Sequence, residues 1–361
     1  MYQLSEVKLD HLHLLSDDVG IIQHASYGIP DRHHGYSADD VGRALVVLCY
    51  LYQIEKREDI LQRITTYLSF LRHAQTPAGH FHNFMSYDRR FLDEQGSEDT
   101  LGRVVWGLGS VVRCSPMPGM LALARNMIDR SQGLMEELRA PRAKAYAICG
   151  LYDVLQRFEG ASYCRRTIYK FARELVALYE ENREDGWEWF EDVLTYGNAK
   201  LSESLLRAYE VTAEPDFRDV GLRTLEFLVK VQWKGEYFDL VGNQGWFPRN
   251  GRKAAFGQQP IDAGYLVEAC AKAYEVTGEK RYRTWARNAF EWFLGRNRLG
   301  VPLYDFTTGA VADGLDPQGA SANKGAESVI CFLLALLSLL RVTSKERVEG
   351  RTLRRDGEQV G

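Results

Sequence analysis

Two aspartates, Asp39 and Asp40, stand side by side in "GYSADDVGRA" (35–44), directly before the apolar run "LVVLCYLYQI". A second acidic pair, Glu98-Asp99, opens "GSEDTLGRVVW" (96–106). Gly-Arg follows in both words. Arg43 comes three residues after Asp40 and Arg103 four after Asp99, spacings that put guanidinium and acid on one helical face. Adjacent like charges repel, and one helix start needs only one cap. The second carboxylate of each pair is therefore free for chemistry. Cleaving a glycosidic bond takes a proton donor at the leaving oxygen and a second carboxylate on the other face of the sugar. We read Asp39 as the cap of its helix, and Asp40 and Asp99 as the catalytic acids. An acid facing a cavity beside like charge has its pKa raised toward a useful value. Arg43 and Arg103 would hold the remaining acids, Asp39 and Glu98, ionised or bind substrate hydroxyls.

Other polar groups precede or open later apolar helices. They are Asn198 in "YGNAKLSES", Gln258, Gln259 and Asp262 in "GQQPIDAG", and Asn323 and Glu327 in "NKGAES"; a sixth word, "RAPRAKAY" (139–146), is basic. Asp40, Asp99, Gln259, Asp262, Asn323 and Glu327 are expected to line one concavity. The loops between are rich in rings, and Trp187 and Trp246 are the candidate platforms for the apolar face of a sugar.

The elements that would position these residues are helical, because apolar residues recur at three and four over segments longer than ten residues. The helices pair as 40–56 with 58–74, 99–114 with 117–137, 142–158 with 161–183, 199–212 with 214–233, and 261–277 with 279–296. Short turns such as "EKRED", "TAEPD" and "TGEKR" force antiparallel hairpins. A helix at 325–341 and an early one at about 4–17 would make the sixth hairpin through the chain ends. Six hairpins with long loops on one side predict an all-α (α/α)6 toroid. Helix 325–341 should lie beside 40–56, with the early helix outside. An open superhelix would have more even repeats. The expected organisation is one toroid domain over 1–341 and a polar C-terminal extension over 342–361.

The chain has 361 residues and a net charge of −4, without a basic tract, so nucleic acid is not an expected partner. The longest apolar run, "VICFLLALLSLL" (329–340), is short for a bilayer, so no membrane is expected either. Six scattered cysteines form no CxxC pair and read as buried thiols in a reducing compartment. With no apolar leader, the location expected is cytoplasmic. His33-His34 and His80-x-His82 complete no metal set, and no GxSxG, P-loop or GxGxxG is present, so neither metal nor cofactor is expected. Three functions fit: a glycoside hydrolase, a sugar epimerase or isomerase, and a non-catalytic glycan-binding or glycosyltransferase-partner domain. An epimerase needs a base pair able to exchange a proton at carbon, most often two histidines on this fold; His33, His34, His80 and His82 are the candidates.

The stretch "DDVGIIQHASYGIPDRHHGYSADDVGRALV" (17–46) resembles the opening of a bacterial group of six-hairpin, glycosyltransferase-associated proteins. "GSEDTLGRVVWGLG", "GQQPIDAGYLVEAC" and "NKGAESVICFLLALL" are similar to its later motifs, over about 10–341. The resemblance implies the toroid, an oligosaccharide or glycoside substrate, and association with a glycosyltransferase. In two motifs an acid of the group is replaced by Gly197 or Gly257.

Overall fold

The computed structural model describes residues 8–358, with side chains described through residue 343. Helices dominate: α1 (Asp10–Leu15), α2 (Ala38–Ile54), α3 (Glu58–Ala74), α4 (Glu98–Cys114), α5 (Pro118–Arg130), α6 (Gln132–Glu136) and α7 (Pro141–Arg157). They continue with α8 (Ser162–Asn182), α9 (Ala199–Thr212), α10 (Pro215–Gln232), α11 (Pro260–Thr277), α12 (Lys280–Phe290) and α13 (Ala326–Glu358). Starts follow local chemistry. Ser37 and Ser97 cap α2 and α4 by accepting the Asp40 and Thr100 N–H, and proline opens α5, α7, α10 and α11, where its missing N–H costs nothing.

Helices α2, α4, α7, α9, α11 and α13 each pack on the next, and α13 packs on α2. That contact closes the ring. The outer helices α3, α5, α8, α10 and α12 each lie against their hairpin partner, and α1 lies against α13. The fold is an (α/α)6 toroid. Inner helices are buried on all sides, as in α4, where Thr100 through Val112 lose solvent. Outer ones bury one stripe, such as Ile60, Ile64, Tyr67, Leu68 and Leu71 of α3, as an amphipathic period requires.

Small residues set the tightest inner contacts. A Cβ at Gly42 would stand 2.8 Å from the Arg103 carbonyl oxygen, one at Gly102 2.5 Å from that of Ala143, and one at Gly107 2.3 Å from that of Gly42. The glycines inside the acidic words thus admit a neighbouring backbone, not a ligand.

Two expectations on the ends need correction. Helix α13 runs to Glu358 instead of stopping at 341; residues 359–361 lie outside the described part. Helix α1 is shorter than 4–17, and residues 1–7 are likewise outside. By length and composition, Ala326–Thr343 could cross a membrane, yet 72% of it is buried as a wall of the ring.

Candidate active site

Long loops and the N-terminal ends of the inner helices meet on one face. Between them lies a cleft of two adjoining lobes, about 680 and 270 Å³ in volume, that share Asp39, Gln259 and Glu327. Asp99, Arg103, Tyr196 and Trp246 border the large lobe. Asp40, Arg43, His24 and Asp313 border the small one.

The floor is a ribbon of alternating charge. Arg43 donates to Asp39 (2.7 Å), Asp40 (2.8 Å) and Glu327 (2.9 Å). Arg103 donates to Asp39 and lies 3.9 Å from Asp99. Four carboxylates from α2, α4 and α13 thus share two guanidinium groups. Burial alone would raise the pKa of Asp39, but the charges of Arg103 and Arg43 outweigh it and hold the carboxyl below its ordinary range. Asp40 goes the other way. Burial pushes it up to about 7 against the pull of Arg43, with Asp39 and Glu327 adding to the rise.

The assignment of Asp39 as the cap is corrected here. Ser37 supplies the cap, accepting the Asp40 N–H at 3.1 Å and donating its hydroxyl to Asp40 Oδ2 at 2.7 Å. Asp39 is instead the anion common to both arginines. Asp99 accepts a 2.7 Å bond from the Tyr196 hydroxyl. Glu98 borders the large lobe, but one of its oxygens accepts the Arg139 and Ala140 N–H groups at 2.8 and 2.6 Å, so it holds the turn that leads into α7.

Of the six residues expected on one concavity, Asp40, Asp99, Gln259 and Glu327 line the cleft. Asp262 lies buried, accepting the Gly197 N–H at 2.8 Å, with its other oxygen unpartnered. Burial pushes its carboxyl up to about 7 as well. Asn323 stands behind the wall, bonded to the Ala25 N–H and to His24.

Three further expectations move into the interior. Gln258 is fully buried, donating to Asp239 and accepting from the Trp292 indole. Asn198 closes a turn with Thr195 and receives Arg142. Trp187 is buried edge-on against Phe227 and Phe247, its N–H on the Glu191 carbonyl. Trp246 does border the large lobe, and its backbone is left-handed (φ 56°), an uncommon state for a bulky residue.

Sequence reasoning passed over Tyr196, Asn243, His24, Asp313 and Arg142. Arg142 was visible in the basic word that opens α7. It gathers the 191–198 loop by bonding the Tyr196 carbonyl (2.6 Å), Thr195 (2.7 Å) and Glu191 (3.0 Å). Asn243 bears on the Gly257 departure. A Cβ at Gly257 (φ 72°) would stand 2.0 Å from the Asn243 Oδ1, so the Asn243 amide fills the room that a side chain at 257 would need. Among the described residues, no group of three or more His, Cys, Asp and Glu could hold a metal ion.

The sequence matches no protein-family model and none of the curated proteins it was compared with. Solved structures do share the fold. A sugar epimerase from a ruminal bacterium is 12% identical, with 94% of this chain and 97% of that one covered at a TM-score of 0.75. Cellobiose 2-epimerase from Spirochaeta thermophila is 14% identical, with 94% of each chain covered and a TM-score of 0.72. The GH76A alpha-1,6-mannanase from Salegentibacter sp. HEL1_6 is 10% identical, covering 94% of this chain and 98% of that one, with a TM-score of 0.65. At these identities the likeness is one of fold.

Proposed function

We propose that this protein is a carbohydrate-active enzyme that cleaves a glycosidic bond with Asp40 as proton donor and Asp99 as base. The observation that carries the reading is the charge ribbon. Two guanidinium groups cannot neutralise four carboxylates, and the most buried acid, Asp40, holds its proton to about 7. A general acid works best when its pKa lies near the operating pH. Asp99 receives the Tyr196 hydroxyl, an arrangement that suits an ionised carboxylate activating water. Asp40 borders the small lobe and Asp99 the large one. A bond placed where the lobes meet would have one acid toward each sugar, with Trp246 as a platform in the large lobe. The mannanase offers a parallel: its variant with two neighbouring aspartates replaced by alanine is described as inactive.

A second reading, sugar epimerisation, is favoured by the epimerase neighbours and by His24 on the small lobe. Against it, His24 is the one histidine bordering either lobe among the described residues, and His33, His34, His80 and His82 do not.

Product analysis separates the two. Wild-type protein is incubated with manno- and cello-oligosaccharides, and the products are followed by NMR. Hydrolysis yields new reducing ends; epimerisation yields a changed sugar without them. Binding without any product would leave a glycan-binding domain and refute both.

A further inference from the structure

The small lobe contains a hydrogen-bond donor whose protonation state is fixed by groups far away in sequence. Segment 24–27 is tied to 322–324: the Tyr27 N–H donates to the Ala322 carbonyl, and the Lys324 N–H to that of Ala25. Within this tie the Ala25 N–H donates to Asn323 Oδ1 at 3.0 Å. A backbone N–H can only donate, so the Asn323 amide has one orientation. Its Nδ2 then faces His24 Nδ1 at 2.8 Å. An amide nitrogen also only donates, so His24 Nδ1 must accept. In a neutral imidazole the proton is then on Nε2. Asp313 does not compete, since its nearer oxygen is 4.0 Å from Nδ1. His24 borders the cleft, and its Nε2 has no bonding partner among the described residues.

Building on the sugar reading of the cleft, we propose that His24 presents its Nε2–H to a sugar hydroxyl or ring oxygen in the small lobe, with Asn323 as the positioning residue that fixes the tautomer. The imidazole is suited to stay neutral: burial lowers its pKa and His34 adds to the fall, while Asp313 opposes it. The small lobe holds about 270 Å³, room for a single sugar unit. This ring therefore acts as a donor that reads an oxygen, and a base at Nδ1 is excluded by the amide already there. Asn323, which does not reach the cleft itself, thus acts through His24.

The test starts with the ring itself. The full chain is labelled with ¹⁵N-histidine and ¹⁵N-tryptophan, and His24 and Trp246 are assigned by the signals lost in His24→Gln and Trp246→Phe. Wild type is expected to show an unprotonated Nδ1 and a protonated Nε2. In Asn323→Asp one oxygen can still accept the Ala25 N–H while the other accepts from the ring, so the proton is expected to move to Nδ1. A protonated Nδ1 in wild type would overturn the proposal. The probes for contact are α-1,6-mannotetrose and cellobiose. At least one should shift the His24 Nε2–H signal. His24→Ala should weaken binding of that sugar about tenfold, the value of one hydrogen bond of about 1.4 kcal/mol. His24→Gln, whose amide N–H can reach the Nε2 position, should recover most of the loss. If sugar shifts the Trp246 indole but leaves His24 unmoved, and His24→Ala binds as wild type, the contact is refuted while the sugar reading stands. If neither signal moves, the sugar reading and this contact fall together.

Discussion

Arg43 receives three carboxylates and Arg103 two, with Asp39 common to both. Four acids on two cations leave two negative charges in excess if all ionise, and Asp40 relieves one by keeping its proton. Titration of the Asp40 side-chain carbon by ¹³C NMR should give a midpoint near the value of about 7 that burial imposes; an ordinary carboxylate midpoint would refute it. Asp262 carries the same raised value without any arginine bond, so its proton bears on stability. A carboxyl whose pKa is higher folded than unfolded takes up a proton on folding. Its contribution is full below the ordinary carboxylate range and is lost as pH rises through about 7. Asp262→Asn keeps an acceptor for the Gly197 N–H and never ionises. Between pH 5 and pH 8, thermal or denaturant unfolding should show wild type losing on the order of 2 kcal/mol more than the variant; parallel losses would contradict the assignment. The residue types at this site were legible in the sequence, since doubled acids before an apolar run exceed what capping needs. Their roles were not. Ser37 stood two residues ahead of Asp39 as an equally good cap, and only the fold shows which side chain reaches the Asp40 N–H.

At the scale of elements, the inner helices touch backbone to backbone where glycine occurs. Gly107 should therefore resist substitution although alanine favours a helix by about 1 kcal/mol. Its Cβ would stand 2.3 Å from the Gly42 carbonyl, in a contact of α4 on α2 that cannot yield without moving the ribbon. Gly107→Ala is expected to destabilise by about 2 kcal/mol in denaturant unfolding. Gly119→Ala, in the first turn of α5 with nothing within 4 Å, should be neutral or stabilise by about 0.5 kcal/mol. If the two variants behave alike, close approach is not what these glycines provide. Helix positions were readable from period and punctuation, since α2 and α4 start at a capping serine and α5, α7, α10 and α11 at a proline. The facing of adjacent residues was less so. Gln258 and Gln259 are neighbours in sequence, yet one is sealed against Asp239 and Trp292 and the other lines the cleft. Trp187 and Trp246 both sit in aromatic loops, yet Trp187 packs on Phe227 of α10 and on Phe247 while Trp246 borders the cleft.

For the molecule as a whole, closure of the ring through α13 on α2 makes the two chain ends interdependent. Hydrogen exchange should find the amides of Ala38–Ile54 and Ala326–Leu340 among the slowest and matched to each other; early fraying of either would indicate an open solenoid. Counting hairpins was enough to anticipate this closure, because a sixth hairpin could only be made from the ends. The same closure hid His24 from the sequence. Its partner Asn323 is 299 positions away; the sequence marked Asn323 at a helix start, but nothing local paired it with His24. The most direct test of the whole account is reducing-end release from oligosaccharides by wild type, Asp40→Asn and Asp99→Asn, with melting temperature measured alongside. The account predicts release by wild type and a fall of about 10²–10⁴ in each variant, with melting temperatures near wild type because Ser37 and Ser97 still cap α2 and α4. Release undiminished in Asp40→Asn, or none by wild type on any glycan that binds the cleft, would contradict it.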